Sequence, residues 1–336
     1  MLNFILPKLF RLILVITLVE SAVFLLVHSI PGNPWDAPNN QIKAMSNVYV
    51  DQAALETRSR YFGFDLPLWR QFTRYMIGDV QQDEKFVCGV ICGNLGPSTR
   101  QVGRSVQDIL FSQTGKGNWD SRVGYTFRLV LYSFGIVSLL GIPIGVTAAF
   151  QAKSFFDRFI TTLFTSVATI PTFVLGLLGI LIFASTLKWI KVIPDWSKPG
   201  DWILPIILLS IVPLSNMIRL TRATVLNEMQ GDYIRTARAK GRTRTETMWR
   251  HILPNALLSI LTFLFPVFVE LIAASFIIEG TFGFPGFGHE YWDSISDLDY
   301  AMIMGITLLY ACTITFANLF LETIRWMIDP RVQRSG

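Results

Sequence analysis

One basic segment, Gly231 to Pro254, reads GDYIRTARAKGRTRTETMWRHILP and carries residue types suited to gripping a soluble partner. Arg235, Arg238, Lys240, Arg242, Arg244 and Arg250 stand there against only Asp232 and Glu246. Tyr233, Ile234 and Ala237 before Gly241, and Met248, Trp249, Ile252 and Leu253 after it, recur at helical intervals. The spacing predicts two short amphipathic helices reversed about Gly241, whose access to positive φ ends the first. Ala237, Ala239 and Gly241 are small enough for close approach, with Tyr233 and Ile234 as apolar anchors. A helix pair with a basic rim suits an acidic groove; the competing reading is a basic helix lying on a membrane surface.

Catalytic chemistry is poorly served. No HExxH, G-x-S-x-G or GxxxxGK[ST] pattern occurs, which excludes a zincin site, a nucleophile elbow and a Walker-type nucleotide loop. His28, His251 and His289 fall at a helix end, in the basic loop and in an acidic loop, so they form no cluster, and no metal site is expected. Cys88 and Cys92 suit either a disulfide or two free thiols; without a nearby histidine they do not make a closed zinc site. Cys312 reads as a small core residue.

The elements that must position the basic loop are apolar. Of 336 residues, 51% are hydrophobic and 16% charged, and the mean hydropathy is +0.44. Such a chain belongs in a membrane. Six segments are long enough to cross it: 9–30, 126–150, 159–187, 202–224, 256–279 and 300–328. The first is too long for a cleaved signal peptide and no small-residue cleavage site follows it. The expected organisation is an N-terminal segment with its helix (1–30), an extracytoplasmic subdomain (31–125), a five-helix core (126–328) holding the loop 225–255, and a tail (329–336).

Lysine and arginine set the orientation. Lys8, Arg11, Lys153, Arg158, the basic loop, Arg331 and Arg334 must share one face, whereas the connection from Glu279 to Asp299 holds Glu290, Asp293 and Asp297 and no lysine or arginine. Both termini are therefore expected in the cytoplasm; Lys188, Lys191 and Lys198 argue weakly the other way. The net charge of +5 sits where topology already requires it, so nucleic acid is not an expected partner.

Within the spans, Glu20 and Glu270 must face protein or water, and Glu322 lies near the inner end of the last helix. Asn216, Ser210 and Ser215 are contact candidates of the fourth span. Glu20, Glu270 and Asn216 are read either as helix-packing groups or as lining a solute path. Pro143, Pro171, Pro205, Pro213 and Pro266 are expected to kink their helices. Without an ATP loop, work across the membrane must draw on a partner or an ion gradient.

The basic loop resembles the EAA loop of permease subunits of ATP-binding-cassette importers. Ala237, Gly241, Leu253 and Pro254 match its spacing, while Arg235, Thr236 and His251 depart from it as in the dipeptide and oligopeptide branch, where YIRTARAKG is followed by WRHxLxNAL. LPKLFRLI with SIPGNP, FGFDLPLWRQFTRYM, GNLGPS, GIPIGVTAA, EGTFGFPGFG (Glu279 to Gly288) and the terminal IDPRVQ resemble further segments of that branch in order. Residues 80–95 and 112–122 are longer than its pattern.

The resemblance implies an all-α polytopic membrane protein with the six-helix core of a type I importer permease and a large outer loop after the first helix. It implies a coupling element at Asp232, Tyr233, Ile234, Arg235, Ala237, Arg238, Lys240 and Gly241, docked on an ATPase. Glu279, Phe282, Pro285, Gly286 and Gly288 would form an outer cap facing a binding protein, or a turn into the last helix. The implied partners are two ATPase subunits carrying ATP and Mg, a second homologous permease, an extracytoplasmic solute-binding protein and membrane lipid. The chain itself would bind no cofactor and would not be an enzyme. Its site is a bacterial or archaeal plasma membrane. Peptides are the implied cargo, with nickel, oligosaccharides or a gradient-driven secondary carrier as alternatives.

Overall fold

The computed structural model of the chain describes residues 2–30, 52–80, 86–112, 118–191 and 194–328. The expectations placed on Arg331 and Arg334 lie outside the described residues. The structure is largely helical, and among the described residues five helices are long and apolar enough to cross a membrane, or six if one bent pair is a single span. Two compact units emerge, Met1–Tyr125 with Pro285–Thr315, and Thr126–Phe284 with Phe316–Gly336. The division falls inside two of the long helices and groups the acidic connection with the N-terminal region.

The first unit contains α1 (Leu2–Ser29), α2 (Gln52–Phe62), α3 (Leu68–Met76), a hairpin of β1 (Gly78–Val80) and β2 (Phe86–Cys88), and α4 (Val106–Phe111). The hairpin is antiparallel, with Gly78 opposite Cys88 and Val80 opposite Phe86. Glycine is required at its base, since a Cβ on Gly89 would stand 2.2 Å from the Tyr75 carbonyl oxygen. A disulfide joins Cys88 to Cys92. Around Val106, Ile109 and Leu110, the side chains of Leu95, Phe287, Met302 and Ile306 complete an apolar core.

The unit closes with α12 (Phe287–Ser296) and the first part of α13 (Tyr300–Ile328). Here the acidic connection finds its counter-charges. Arg100 reaches Asp297 at 2.9 Å, Asp293 at 3.2 Å and Glu290 at 3.5 Å. Arg122 meets the other oxygen of Glu290 at 2.6 Å. Asp299 accepts from the Ser98 hydroxyl and from the backbone N–H groups of Thr99 and Arg100. Three carboxylates thus share the Arg100 guanidinium, whose proton they hold more firmly than usual despite its partial burial. One of them is left worse off: burial pushes the Asp297 carboxyl above its ordinary range even against the pull of Arg100.

In the second unit, α5 (Arg122–Phe150) packs on α8 (Pro199–Glu228) through glycines one turn apart. A Cβ on Gly141 would meet the Met217 side chain at 3.0 Å, and one on Gly145 would meet the Ile218 carbonyl oxygen at 2.8 Å. Higher along the seam, the Ser133 hydroxyl donates to the Ile206 carbonyl at 3.2 Å. Contact positions rise together along both helices, so α5 and α8 run parallel. The chain between them must therefore return the length of a span.

That return is made by α6 (Phe155–Ala168) and α7 (Thr172–Gly179), the latter prolonged by wider π-type turns over Ile180–Thr186. The two meet at 96°, where the sequence suggested one helix over 159–187. Pro171 caps α7 and marks the break. By contrast, Pro143, Pro205, Pro213 and Pro266 sit inside continuous helices. α5, α8 and α11 (Leu253–Phe282), the last completing the unit's long helices, each begin a few residues before their expected start; α8 and α11 also end a few residues later, α1 starts earlier than expected, and α13 coincides with the expected 300–328.

A charge pair secures the bend's far end. Ser154 caps α6 by accepting from the Asp157 N–H, and the Asp157 carboxylate takes two hydrogen bonds from Arg222 of α8, at 2.5 and 2.8 Å. Asp157→Ala is expected to destabilise the protein by about 2–3 kcal/mol, below the usual cost of orphaning a buried charge because Arg222 keeps some solvent access; chemical denaturation in detergent measures it. For Asp297 the sign runs the other way. A raised folded-state value means stability that is present below the ordinary aspartate value and lost as pH rises through the raised one. Asp297→Asn is expected to hold or raise the melting temperature at neutral pH and to flatten its pH dependence, whereas Arg100→Ala lowers it.

Candidate functional site

The basic loop begins where α8 ends at Glu228 and turns through Gly231, whose missing side chain leaves room for the Tyr233 ring. Residues Asp232–Ala239 form α9. Its periodicity divides it cleanly: Ile234 and Ala237 are 1% and 8% exposed, while the side chains of Asp232 and Arg235 are 95% and 80% exposed. Arg238 lies in the same helix and exposed Lys240 follows it. Gly241 has φ of +80° and nothing of this chain within 4 Å of the place a Cβ would take, so within the chain it serves the backbone turn.

Tyr233 holds this helix at both sides. Its hydroxyl donates to Glu228 at 2.5 Å and accepts from the Asn255 amide at 3.3 Å, tying α9 to the end of α8 and the start of α11. Burial, followed by the Glu228 hydrogen bond, raises the Tyr233 phenol above its ordinary value. The phenol therefore stays a donor at neutral pH.

After Gly241 the structure departs from a second free-standing helix. Thr243 caps α10 (Arg244–Thr247) by accepting from the Glu246 N–H at 3.2 Å. Wider helical turns over Met248–Ile252 then lead without a break into α11. The second leg is thus the root of a membrane helix. Glu246 accepts from Arg242 at 2.8 Å and pairs with Arg250 at 3.7 Å. Arg244 donates to the Phe150 carbonyl and lies 4.6 Å over the Phe150 ring, which anchors the leg to the end of α5.

The residues read as lining a solute path are divided between the two units. Asn216 and Glu270 approach at 3.5 Å, and Arg219 donates to the Asn216 oxygen at 3.1 Å. The amide thereby stands between a cation and a carboxylate on α8 and α11. Glu20 belongs to the other compact unit, fully buried, and among the described residues its oxygens have no hydrogen-bond partner. Sequence reasoning missed Arg219 and Arg222, charges inside the fourth span, and Asp157; a Ser-x-x-Asp capping pattern at Ser154 was the available signal for the last.

In the outer motif, Glu279 and Phe282 occupy the final turns of α11 and are buried. Gly283 ends that helix at φ +60°, and its carbonyl accepts from the Trp196 indole at 3.1 Å. Phe284, which the sequence reading left unremarked, is fully buried between the rings of Trp196 and Trp202, each 4.8 Å away. Pro285 and Gly286 lead into α12, and Gly288 is buried in its first turn. No metal-binding group of three or more histidine, cysteine or acidic residues occurs among the described residues.

Residues 141–334, which hold the glycine seam, the basic loop and the outer motif, match the family described as the binding-protein-dependent transport system inner membrane component. The chain belongs to that family. The dipeptide transport system permease protein of Bacillus subtilis (strain 168) is 28% identical over 318 residues, covering 95% of this chain and 94% of the relative. The glutathione transport system permease protein of Escherichia coli (strain K12) is 29% identical over 335 residues, covering 99% of both. Among solved structures, the inward-facing MetNI methionine ABC transporter aligns with 60% of this chain and 94% of its own at TM-score 0.47 and 16% identity. As an inner membrane component of this family, the chain is a multi-pass membrane protein, in keeping with its apolar helices.

Tyr233→Phe removes both ties of α9 while keeping the ring. Backbone amides of Asp232–Ala239 are expected to exchange about tenfold faster, the worth of roughly one hydrogen bond, and hydrogen–deuterium exchange in nanodiscs reads this directly.

Proposed function

We propose that this chain is one transmembrane permease subunit of an ATP-driven importer, passing short peptides delivered by an extracytoplasmic solute-binding protein into the cytoplasm by alternating access. The observation that carries the reading is α9. It buries one apolar edge, presents Asp232 and Arg235 outward, and is tethered to both α8 and α11. A partner pressing on it moves two long helices together, as rigid elements.

In this reading the basic end of the bundle faces the cytoplasm of a bacterium or archaeon and both termini lie there. Two ATPase subunits bind ATP and Mg and supply the stroke, docking on the stretch from Asp232 to Gly241. A second homologous permease completes the pathway, in which Asn216 and Glu270 contact solute, while the motif from Glu279 to Gly288 forms part of the outer docking face. Peptide cargo rests on the names of the dipeptide and glutathione permease relatives.

Gly241→Asp tests the coupling role. It puts a side chain on a left-handed backbone position, at about 1 kcal/mol, and an acid into the basic rim. Reconstituted with its partner subunits, the variant is expected to insert normally while solute-stimulated ATPase and uptake both fall at least tenfold. Wild-type values for both would reject docking at this element.

A further inference from the structure

Within the first unit lies a cavity of about 440 Å³, remote in sequence from the basic loop and used by nothing described above. Its size falls in the roughly 300–1,000 Å³ range of small-molecule sites. It is bounded by the end of α1, the turn joining α2 to α3, the Asn94–Asp108 stretch and the start of α13.

Aromatic rings form much of its wall. Phe24 and His28 lie 4.0 Å apart, His28 and Tyr300 5.1 Å, and Phe64 and Tyr300 5.7 Å. Hydrogen bonds lock this surface. The His28 ring contacts the Phe24 carbonyl at 2.8 Å and the Gln71 side-chain oxygen at 3.0 Å, and the Gln71 amide donates to the Leu66 carbonyl at 2.7 Å. A wall already fixed loses little freedom when a flat group lands on it.

The charges lining the cavity are unequally occupied. Asp79 is engaged by Arg70 at 3.6 Å, and Asp108 by the Ser105 hydroxyl and N–H cap. Arg74 instead lies against the Gly63 turn, whose backbone has φ of +77°, with one nitrogen 2.5 Å from where a Cβ would be. It donates to the Tyr61 carbonyl at 3.2 Å. Arg104 donates to the Gln101 side chain at 2.9 Å. Among the described residues, no ion pair engages either guanidinium, and most of their N–H groups remain available.

We infer that this cavity is a binding site for a small carboxylate carrying an aromatic group, the ring lying on the Phe24, Phe64 and Tyr300 wall and the carboxylate taken by Arg74 and Arg104. A guanidinium fork matches a carboxylate, and its charge favours an anion over a neutral isostere. The inference holds whether or not such molecules are cargo.

Full-length protein in nanodiscs is titrated with N-acetyl-phenylalanine, its neutral amide and octanoate, with saturation-transfer NMR and equilibrium dialysis as readouts. The aromatic acid is expected to bind, with the amide and octanoate each about tenfold weaker, the loss of one charged hydrogen bond or of the ring contacts. Arg74→Gln and, separately, the rim substitution Arg104→Gln are expected to weaken the acid similarly, with Arg74→Lys between. No transfer to the aromatic acid, equal binding of the amide or of octanoate, or affinity untouched by both glutamine variants would each overturn the assignment. The wild-type probe series needs no variant to fold.

Discussion

The seam between α5 and α8 governs the second unit, because two glycines there let backbones approach where lipid offers no hydrophobic reward for helix association. Packing and interhelical hydrogen bonds must do that work inside a membrane. Gly141 and Gly145 accept Met217 and Thr221, and the Ser133–Ile206 hydrogen bond extends the seam. Further along, Gly179 accommodates Leu208 of α8, and Gly176 accommodates Thr281 of α11. Side chains at these positions would push α8 outward and pull Arg222 from Asp157. The same approach fixes α8 and α11 as the two beams between which the basic elbow hangs.

The first unit is organised by charge as much as by apolar packing. Glu290, Asp293 and Asp297 come from a connection without lysine or arginine of its own, and their counter-charges arrive from Arg100 and Arg122, while Asp299 is held by the Ser98 hydroxyl and two backbone N–H groups. Such a network fixes the placement of the acidic connection more than it adds stability, since desolvation consumes much of the Coulomb gain. Asp297 shows the limit of sharing, where a third carboxylate gains less from one guanidinium than it loses by leaving water.

Local chemistry was legible in the sequence and distant pairing was not. The helix Asp232–Ala239 and its stop at Gly241 follow from a 3.6-residue period and one glycine, both readable within a dozen residues. The continuous passage through Met248–Ile252 was hidden, because amphipathic spacing says nothing about whether the next span begins at once. Five prolines looked alike, yet only Pro171 coincides with a break, since a membrane helix tolerates proline when its freed carbonyl finds other partners. The Asp157–Arg222 pair, the carboxylate network around Arg100 and the Phe284 socket join segments far apart in the chain, and no local pattern announces them. The membrane class and the family pattern of the basic loop survived because they depend on composition and ordered spacing.

The three-way grip of the Tyr233 hydroxyl and ring has a mechanical consequence. A short helix tied at one side chain to two long ones shares any displacement of its free edge between them. If a partner docks there as proposed, stiffness at a single phenol would set how much of its stroke is delivered to the bundle and how much is dissipated as local wobble.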